Sequence, residues 1–494
     1  MATPWSWPGG DMWSTNFDQY GMGDSEPVDH RSADAYDALQ IVSKLPYVDV
    51  EQIGYTGHSS GARVGDMLCK QLEAEGSDLQ FASIILVDND PYYKNDDGEY
   101  VNNYGSVNYG VVACQYDDWF FSIQDEAGDW IVRPRDYIRN DNCKSFLAFG
   151  EDPSTFEGTP EPGKYYSKVI DGQEAVRVVY TPTEIHSWGS LSPVSTKYVV
   201  EFFQNTMPAP NPIAPSGTMA FLKECISLVG VVGLVLFMVF FTLVLLDTRF
   251  FGVLRAETLV APAPAPASLR GKLWFWGGLI AGAVFSFFAF HWFMRPIYNI
   301  PNTDWPAILP QQQTLALGVW GMASGIFTIV LLFINYRTNL KHTGFDLAER
   351  GVILPKGTLM KTILLAITAA CATFAIVFFA DYFFNTNFQF WAVMFRAFDA
   401  DKVPIMLCAL PLFLMFYIPN SIACHSFRYN EIGKGGWVNT LIIAFFNAAS
   451  IIYIELVQYS VFFATGQPYW HVESFDRQLG GWLLGTVVVM FVTP

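Results

Sequence analysis

The chain has 494 residues, with 29 Lys and Arg against 46 Asp and Glu, and a formal net charge of −17 at pH 7. This length exceeds one ordinary domain, and the acidic balance argues against a nucleic-acid partner, because phosphate binding needs basic patches. The charge is unevenly divided, since residues 1–216 carry −20 and the remainder carries +3. We therefore predict a soluble domain over 1–206, a linker over 207–218 and a transmembrane helical domain over 219–494.

The soluble half alternates strand and helix patterns, which favours an α/β sheet with helices on both faces. The strands are predicted at 13–18, 52–56, 81–87, 109–114 and 175–180. The helices are predicted at 32–45, 62–74 and 197–203, while 137–149 also fits a helix. The run 81–87 is almost wholly apolar, as is typical of a buried parallel strand.

A candidate nucleophile lies where the strand at 52–56 meets the next helix. The residues there are Gly57-His58-Ser59-Ser60-Gly61. A sharp strand-to-helix turn of this type projects the central serine above the sheet, and the flanking glycines relieve crowding. The pattern predicts Ser59 as the nucleophile and the backbone N–H of Ser60 as an oxyanion donor. His58 is expected to be a packed or solvent-facing neighbour that points away from Ser59.

A serine nucleophile needs a base and an acid that orients the base. In the predicted domain, the one histidine after Ser59 is His186, in a loop that follows the strand at 175–180. For the acid we favour Asp117, which follows the strand at 109–114. Asp152 is the second candidate, and Asp88 and Asp118 remain open.

These residues resemble the α/β-hydrolase superfamily, and most closely its dienelactone-hydrolase and peptidase-like branch. The resemblance covers about residues 12–205. It rests on the segment 17–25 (Phe-Asp-Gln-Tyr-Gly-Met-Gly-Asp-Ser), on 57–61, on Tyr116-Asp117-Asp118 and on Ile185-His186-Ser187-Trp188. The resemblance implies that Ser59 attacks an ester or amide carbonyl and forms an acyl-enzyme. In this superfamily a segment such as 18–25 normally follows the fourth strand. We therefore expect the hydrolase fold to be N-terminally incomplete here.

The second half contains runs long enough to cross a bilayer, which needs about 20 apolar residues. We predict seven spans, near 224–246, 273–294, 314–335, 360–380, 404–424, 437–463 and 479–493. Eleven Lys and Arg lie in the loops after the first, third and fifth spans, against four in the alternate loops. The basic loops should therefore be cytoplasmic, which would place the soluble domain outside a cell membrane. Such export requires a signal segment, which we expect to precede Met1.

One carboxylate, Glu455, lies within the sixth predicted span. Asn447, Ser450 and Gln458 fall near its helical face by their spacing. An ionisable group in lipid indicates a possible functional site. A protonated Glu455 bonded to a neighbouring helix is the favoured alternative.

The leading functional prediction is a membrane-anchored serine hydrolase that cleaves a small-molecule or lipid ester, or an amide, in contact with membrane lipids. A polytopic transporter or sensor with a non-catalytic hydrolase-like module is one alternative, and a membrane acyltransferase is another. No metal or dinucleotide motif is visible in the sequence. The seven cysteines form no pattern typical of a zinc site, so we predict neither a metal nor another cofactor. The oligomeric state stays open.

Overall fold

The computed structural model describes residues 15, 17, 32–117, 119–126, 129–209, 211–217, 219–255, 263–264, 266–298, 300, 308–310, 312–390, 393–427, 429–430, 432 and 436–467. The chain divides into two compact units, with the main boundary between Cys225 and Ile226. The predicted strand at 13–18, the segment 18–25, Asp118 and the predicted seventh span at 479–493 lie outside the described residues, except for Thr15 and Phe17.

The first unit is built on a mixed five-stranded sheet. The described strands of this unit, which include two outside the sheet, are β1 (Gly54–His58), β2 (Ser83–Val87), β3 (Asn108–Val112), β4 (Ile123–Gln124), β5 (Trp130–Val132), β6 (Tyr166–Ile170) and β7 (Gln173–Tyr180). The sheet order is β1-β2-β3-β7-β6, and β4 and β5 form a separate antiparallel pair. The first four strands in that order are parallel, while β6 runs antiparallel to β7 at the edge. The carboxyl ends of β1, β2, β3 and β7 therefore share one edge of the sheet.

Helices cover both faces of this sheet, because the strand side chains alternate between two apolar clusters. The helices are α1 (Ala33–Val42), α2 (Ser60–Ala74), α3 (Asp141–Leu147) and α4 (Pro193–Thr206). In β2, Ile84 and Leu86 pack in one cluster with α1, α2 and α3. Ile85 and Val87 pack in the other, with Phe202 of α4. The all-apolar sequence of β2 follows from this burial on both faces.

The edge hairpin β6–β7 is a feature that the sequence interpretation missed. Its strands are joined by Asp171 and Gly172, which both have positive φ, at 50° and 82°. An Asp-Gly pair with this backbone is typical of a two-residue hairpin turn. The predicted strand at 175–180 is thus the second half of a longer hairpin. The stretch 137–149, which also fitted a helix, instead contains the end of a 3-10 turn, Pro134–Arg139, followed by the short helix α3.

The second unit is helical. Its helices, together with the one that crosses the boundary, are α5 (Ala220–Leu246), α6 (Leu269–Ala289), α7 (Arg295–Tyr298), α8 (Gln312–Asn335), α9 (Thr358–Phe384), α10 (Lys402–Ser421) and α11 (Gly436–Thr465). Short strands lie at β8 (Ala263–Pro264), β9 (Phe388–Phe390), β10 (Val393–Phe395) and β11 (Tyr429–Asn430). Helix α8 packs against α6 and α10, and α11 packs against α6.

Six helices in the described residues are long and apolar enough to cross a membrane. They correspond to the first six predicted spans, which supports the predicted multi-pass character of this unit. They are α5, α6, α8, α9, α10 and α11, where α6, α8 and α10 continue into short π-helical turns at 290–294, 336–340 and 422–426. Their surfaces are rich in exposed Leu, Ile, Val and Phe, as the hydrocarbon of a bilayer allows.

Candidate active site

Ser59 occupies a strained turn between β1 and α2. Its backbone has φ 54° and ψ −117°, a conformation that non-glycine residues rarely adopt and that costs on the order of 1–3 kcal/mol. Hydrogen bonds hold this turn, because Ser59 N–H donates to Val87 O at 2.9 Å and Asn89 Nδ2 donates to Ser59 O at 2.8 Å. The end of β2 therefore fixes the orientation of the serine.

Gly57 allows the chain to fold back on itself at this turn. A Cβ atom on Gly57 would lie 2.4 Å from the carbonyl carbon of Gly61 and 2.6 Å from its oxygen. Both of those atoms are backbone and cannot move aside as the end of a flexible side chain can. The Gly61 carbonyl also accepts a hydrogen bond from the Tyr55 hydroxyl at 2.7 Å. Glycine at position 57 is thus a steric requirement of the tight strand-to-helix connection.

Ser59, His186 and Asp117 form one hydrogen-bonded chain. His186 Nε2 lies 2.8 Å from Ser59 Oγ, and His186 Nδ1 lies 2.8 Å from Asp117 Oδ2. The three residues follow β1, β7 and β3, whose carboxyl ends meet at one edge of the sheet. The predicted nucleophile, base and favoured acid are therefore in contact with one another. Such an arrangement can accept the serine proton on the imidazole as the hydroxyl oxygen attacks a carbonyl.

Asp117 is fully buried beneath His186. Its other oxygen, Oδ1, accepts the backbone N–H groups of Trp119 at 2.8 Å and Phe120 at 3.0 Å. Burial raises the pKa of Asp117, while the neighbouring His186 opposes that rise. The two backbone donors and the imidazole fix the carboxylate orientation, which in turn fixes the ring of His186.

The alternative acids lie elsewhere. Asp152 is exposed and accepts hydrogen bonds from Ser154 N–H at 2.8 Å and from Ser154 Oγ at 2.6 Å, at the start of a short 3-10 helix. These bonds lower the pKa of Asp152. Asp88 is buried directly after β2 but faces His58 rather than an imidazole nitrogen of His186. Neither carboxylate is bonded to His186 Nδ1, which is 2.8 Å from Asp117.

His58 supports the loop that carries His186. His58 Nε2 donates to the backbone carbonyl of His186 at 2.8 Å. The same nitrogen lies 3.3 Å from Asp88 Oδ2, which has no hydrogen-bond donor among the described residues, so this contact is electrostatic. Gly189 lies over that carboxylate, and a Cβ there would be 1.7 Å from Asp88 Oδ2. The expectation that His58 points away from Ser59 missed this contact with the histidine loop.

His58, Asp88 and His186 also place potential metal-ligand atoms within 4.8 Å of one another. However, both ring nitrogens of His186 are already hydrogen-bonded, to Ser59 and to Asp117. An ion on His186 would have to displace one of those partners. The arrangement therefore fits a serine–histidine–aspartate chain better than a metal centre.

A polar network behind the turn was not predicted from the sequence. Arg63 donates to Asp66 Oδ2 at 3.0 Å, to Asn89 Oδ1 at 2.6 Å and to Asp90 Oδ1 at 3.0 Å. Asp66 is buried and also accepts the hydroxyl groups of Tyr104 and Tyr109. Burial raises the pKa of Asp66 to about 7. The Asp-Asn-Asp run that follows β2 is the sequence signal that could have indicated this support.

Aromatic side chains flank the imidazole. Trp119 stacks on the His186 ring with centroids 5.6 Å apart, and the Phe120 ring lies 5.5 Å away. Trp119 is 42% exposed, so an apolar surface lies beside the His186 ring.

Ser60 and Glu455 complete the predicted site residues. Ser60 is the first residue of α2, so its N–H lies at the positive end of the helix dipole, next to Ser59. Glu455 lies in α11, in the second unit.

No protein-family model matches this chain, and no curated protein or solved structure is significantly similar to it.

Proposed function

We propose that this chain is a membrane-anchored serine hydrolase of the α/β-hydrolase type, which cleaves ester or amide bonds through an acyl-enzyme on Ser59. The observation that carries the proposal is the Ser59–His186–Asp117 chain, with both hydrogen bonds at 2.8 Å. A structural serine does not need a strained backbone and a buried His–Asp pair aligned on its hydroxyl. Support also comes from the strand order, because the three residues follow parallel strands of one sheet in the sequence order Ser, Asp, His.

In the proposed reaction, Ser59 Oγ attacks the carbonyl carbon as its proton passes to His186 Nε2. Asp117 remains ionised and stabilises the imidazolium through Nδ1. The imidazolium then donates the proton to the leaving alcohol or amine, and the acyl group stays on Ser59. Water, deprotonated by His186, releases the acid and restores the hydroxyl. The Ser60 N–H donates to the oxyanion in both tetrahedral intermediates.

The chemistry around the site favours an uncharged acyl group. Residues 1–216 carry a net charge of −20, which repels anions over a range of about 10 Å at moderate ionic strength. Trp119 and Phe120 flank His186 with apolar rings, which suit a hydrocarbon or aromatic acyl chain. We therefore propose neutral esters, including those of lipids, as the substrate class.

The six candidate spans support a location in a membrane. The excess of Lys and Arg in the loops after the first, third and fifth spans supports a cytoplasmic position for those loops. The catalytic unit, which precedes the first span, would then face away from the cytoplasm. Protease treatment of intact and of permeabilised cells tests this, because an outward unit is cleaved in both, whereas an inward one is cleaved after permeabilisation alone.

Hydrolysis of p-nitrophenyl butyrate by the full chain in detergent tests the proposed activity. We expect turnover that is lost in Ser59→Ala and retained in Asp152→Asn, which changes a distant exposed carboxylate. A folded wild-type chain that turns over neither this ester nor a set of longer-chain and amide substrates would contradict the proposal. Equal turnover by Ser59→Ala would contradict the assignment of the nucleophile.

A further inference from the structure

A cavity of about 190 Å³ lies within the second unit, between α6, α8, α10 and α11. Most of its wall is apolar, with Phe, Leu and Trp side chains. The polar part of the wall includes Ser286, Ser324, Asn335, Asn420, Asn447 and Ser450. The volume exceeds the roughly 150 Å³ of an engineered apolar cavity that admits benzene. The space is thus large enough for a substantial part of an organic molecule.

Hydroxyl groups from three helices converge on this cavity. Ser286 Oγ of α6 lies 3.2 Å from Ser450 Oγ of α11 and 3.4 Å from Ser324 Oγ of α8. Interhelical hydrogen bonds of this kind stabilise helix association without a ligand. Asn335, Asn420 and Asn447 also line the cavity. Within the helices, Asn335 Oδ1 accepts from Asn339 Nδ2 at 3.2 Å and Asn420 Oδ1 accepts from Cys424 Sγ at 3.7 Å. Amides and hydroxyls can donate to and accept from a ligand that carries hydroxyl or ester groups.

Two glycines extend the cavity to the backbone of α6. Gly278 and Gly282 lie one turn apart and line the cavity, and a Cβ atom on either would meet no heavy atom within 4 Å. In a close-packed helix pair, glycine allows two backbones to approach. Here the space that the missing side chains leave remains open. The groove along α6 is therefore part of the cavity and not a packing contact.

The lining restricts the charge of the ligand. The described residues that face the cavity include no Asp, Glu, Lys, Arg or His. A charged group placed between membrane-spanning helices without an opposite charge is costly. The portion of ligand inside must then be uncharged, mainly apolar and able to form a few hydrogen bonds.

The position of the cavity in the bundle matches a lipid. Its lining runs from Asn335 and Phe427, next to the loops that follow α8 and α10, to the deeper serine cluster. The cavity thus extends along four of the candidate membrane spans, where the surrounding solvent would be lipid. We infer that it binds an uncharged glycerolipid, with ester and hydroxyl oxygens against the serine and asparagine side chains. The inference does not depend on the chemistry of Ser59.

A photoactivatable diacylglycerol with a diazirine on one acyl chain tests this inference on the full chain in nanodiscs. After irradiation, adducts are mapped to peptides by mass spectrometry. We expect adducts on cavity residues of α6, α8, α10 or α11. They should be lost in Gly278→Leu and Gly282→Leu, whose side chains fill the cavity without a steric clash. Gly277→Leu is the matched control, because Gly277 is exposed on α6, has equal space for a Cβ and does not line the cavity.

Equal adduct yield at the cavity residues in the wild type and in both filling variants would overturn the inference. So would adducts confined to α5 and α9. Phosphatidylglycerol with the same diazirine chain should label the cavity residues less, and equal labelling would overturn the assignment of an uncharged ligand. Free glycerol should not compete with the probe. Full competition would mean that the site takes a small soluble polyol instead of a lipid.

Discussion

The side chain of His58 donates a hydrogen bond to the backbone carbonyl of His186, although 128 residues separate them along the chain. His58 thus connects the turn that carries Ser59 to the loop that carries the imidazole. The buried carboxylate of Asp88 lies 3.3 Å from the same nitrogen and favours its N–H. Through these two contacts of His58, the turn after β1, the end of β2 and the loop after β7 are held in position relative to one another.

Removal of this hydrogen bond should slow the reaction without abolishing it. A hydrogen bond contributes about 1 kcal/mol, which is equivalent to roughly a 5-fold change in rate. We expect His58→Ala to lower kcat for ester hydrolysis by about that factor with little change in KM. His58→Asn, which retains a donor, should recover part of the loss. Unchanged kcat in His58→Ala would show that the contact does not position His186.

The carboxylate of Asp117 should matter far more than that of Asp152. Asp117→Asn preserves the shape of the side chain but removes the charge that stabilises the imidazolium. By analogy with other Ser–His–Asp sites, we expect kcat to fall about 10³-fold to 10⁴-fold. Asp152→Asn should leave kcat unchanged, because Asp152 bonds to Ser154 at an exposed turn. The reverse result in steady-state kinetics would exclude Asp117 as the acid.

Ser60 should contribute through its backbone and not through its hydroxyl. Ser60→Ala retains the N–H at the start of α2, so we expect kcat/KM within about 3-fold of the wild-type value, well short of the 10²-fold loss typical of a lost oxyanion donor. A loss of 10²-fold or more would mean that the side chain takes part. The thermal midpoint of the variant serves as the control for folding.

Asp66 should make the stability of the chain depend on pH. Burial raises its pKa to about 7, whereas an unfolded Asp titrates near about 3.9. Between these values the folded state keeps a proton that the unfolded state has lost. The free energy of unfolding therefore falls as pH rises through this window, by at most about 1.4 kcal/mol per pH unit.

Thermal unfolding of the full chain in detergent at pH 5 and pH 8 checks this prediction, with reaction of the buried Cys143 thiol as the probe of the first unit. The difference in midpoint between the two pH values should shrink in Asp66→Asn. It should stay unchanged in Asp152→Asn, where the carboxylate is exposed. An unaltered difference in Asp66→Asn would contradict the assignment.

The central contacts of the site could be predicted from the sequence because they follow from chain order. Ser59, Asp117 and His186 each follow a predicted strand, and the carboxyl ends of parallel strands meet at one edge. The elbow glycines indicated the turn at Ser59, although the strand there is Gly54–His58 and not 52–56. Such boundaries shift because the last strand residues are set by pairing with β2, not by local composition.

The supporting contacts could not be predicted in the same way. The His58 bond to the carbonyl of His186 depends on how closely the loop after β7 approaches the end of β2, and Gly189 alone does not indicate that approach. The buried Asp66 lies on an α2 face whose partners, Tyr104 and Tyr109, come from a distant part of the chain. The cavity in the second unit likewise arises from the packing of four helices. The sequence indicated Glu455 as a possible functional residue in this unit, but Glu455 is not among the residues that line the cavity.

The site of covalent modification by a fluorophosphonate tests the central claim most directly. The full chain in detergent is treated with the probe, and the modified residue is identified by peptide mass spectrometry. We predict one adduct, on Ser59, that is absent in Ser59→Ala and strongly reduced in His186→Ala, because the serine then lacks its base. A folded chain that forms no adduct, or that is modified at another residue with Ser59 untouched, would contradict the account.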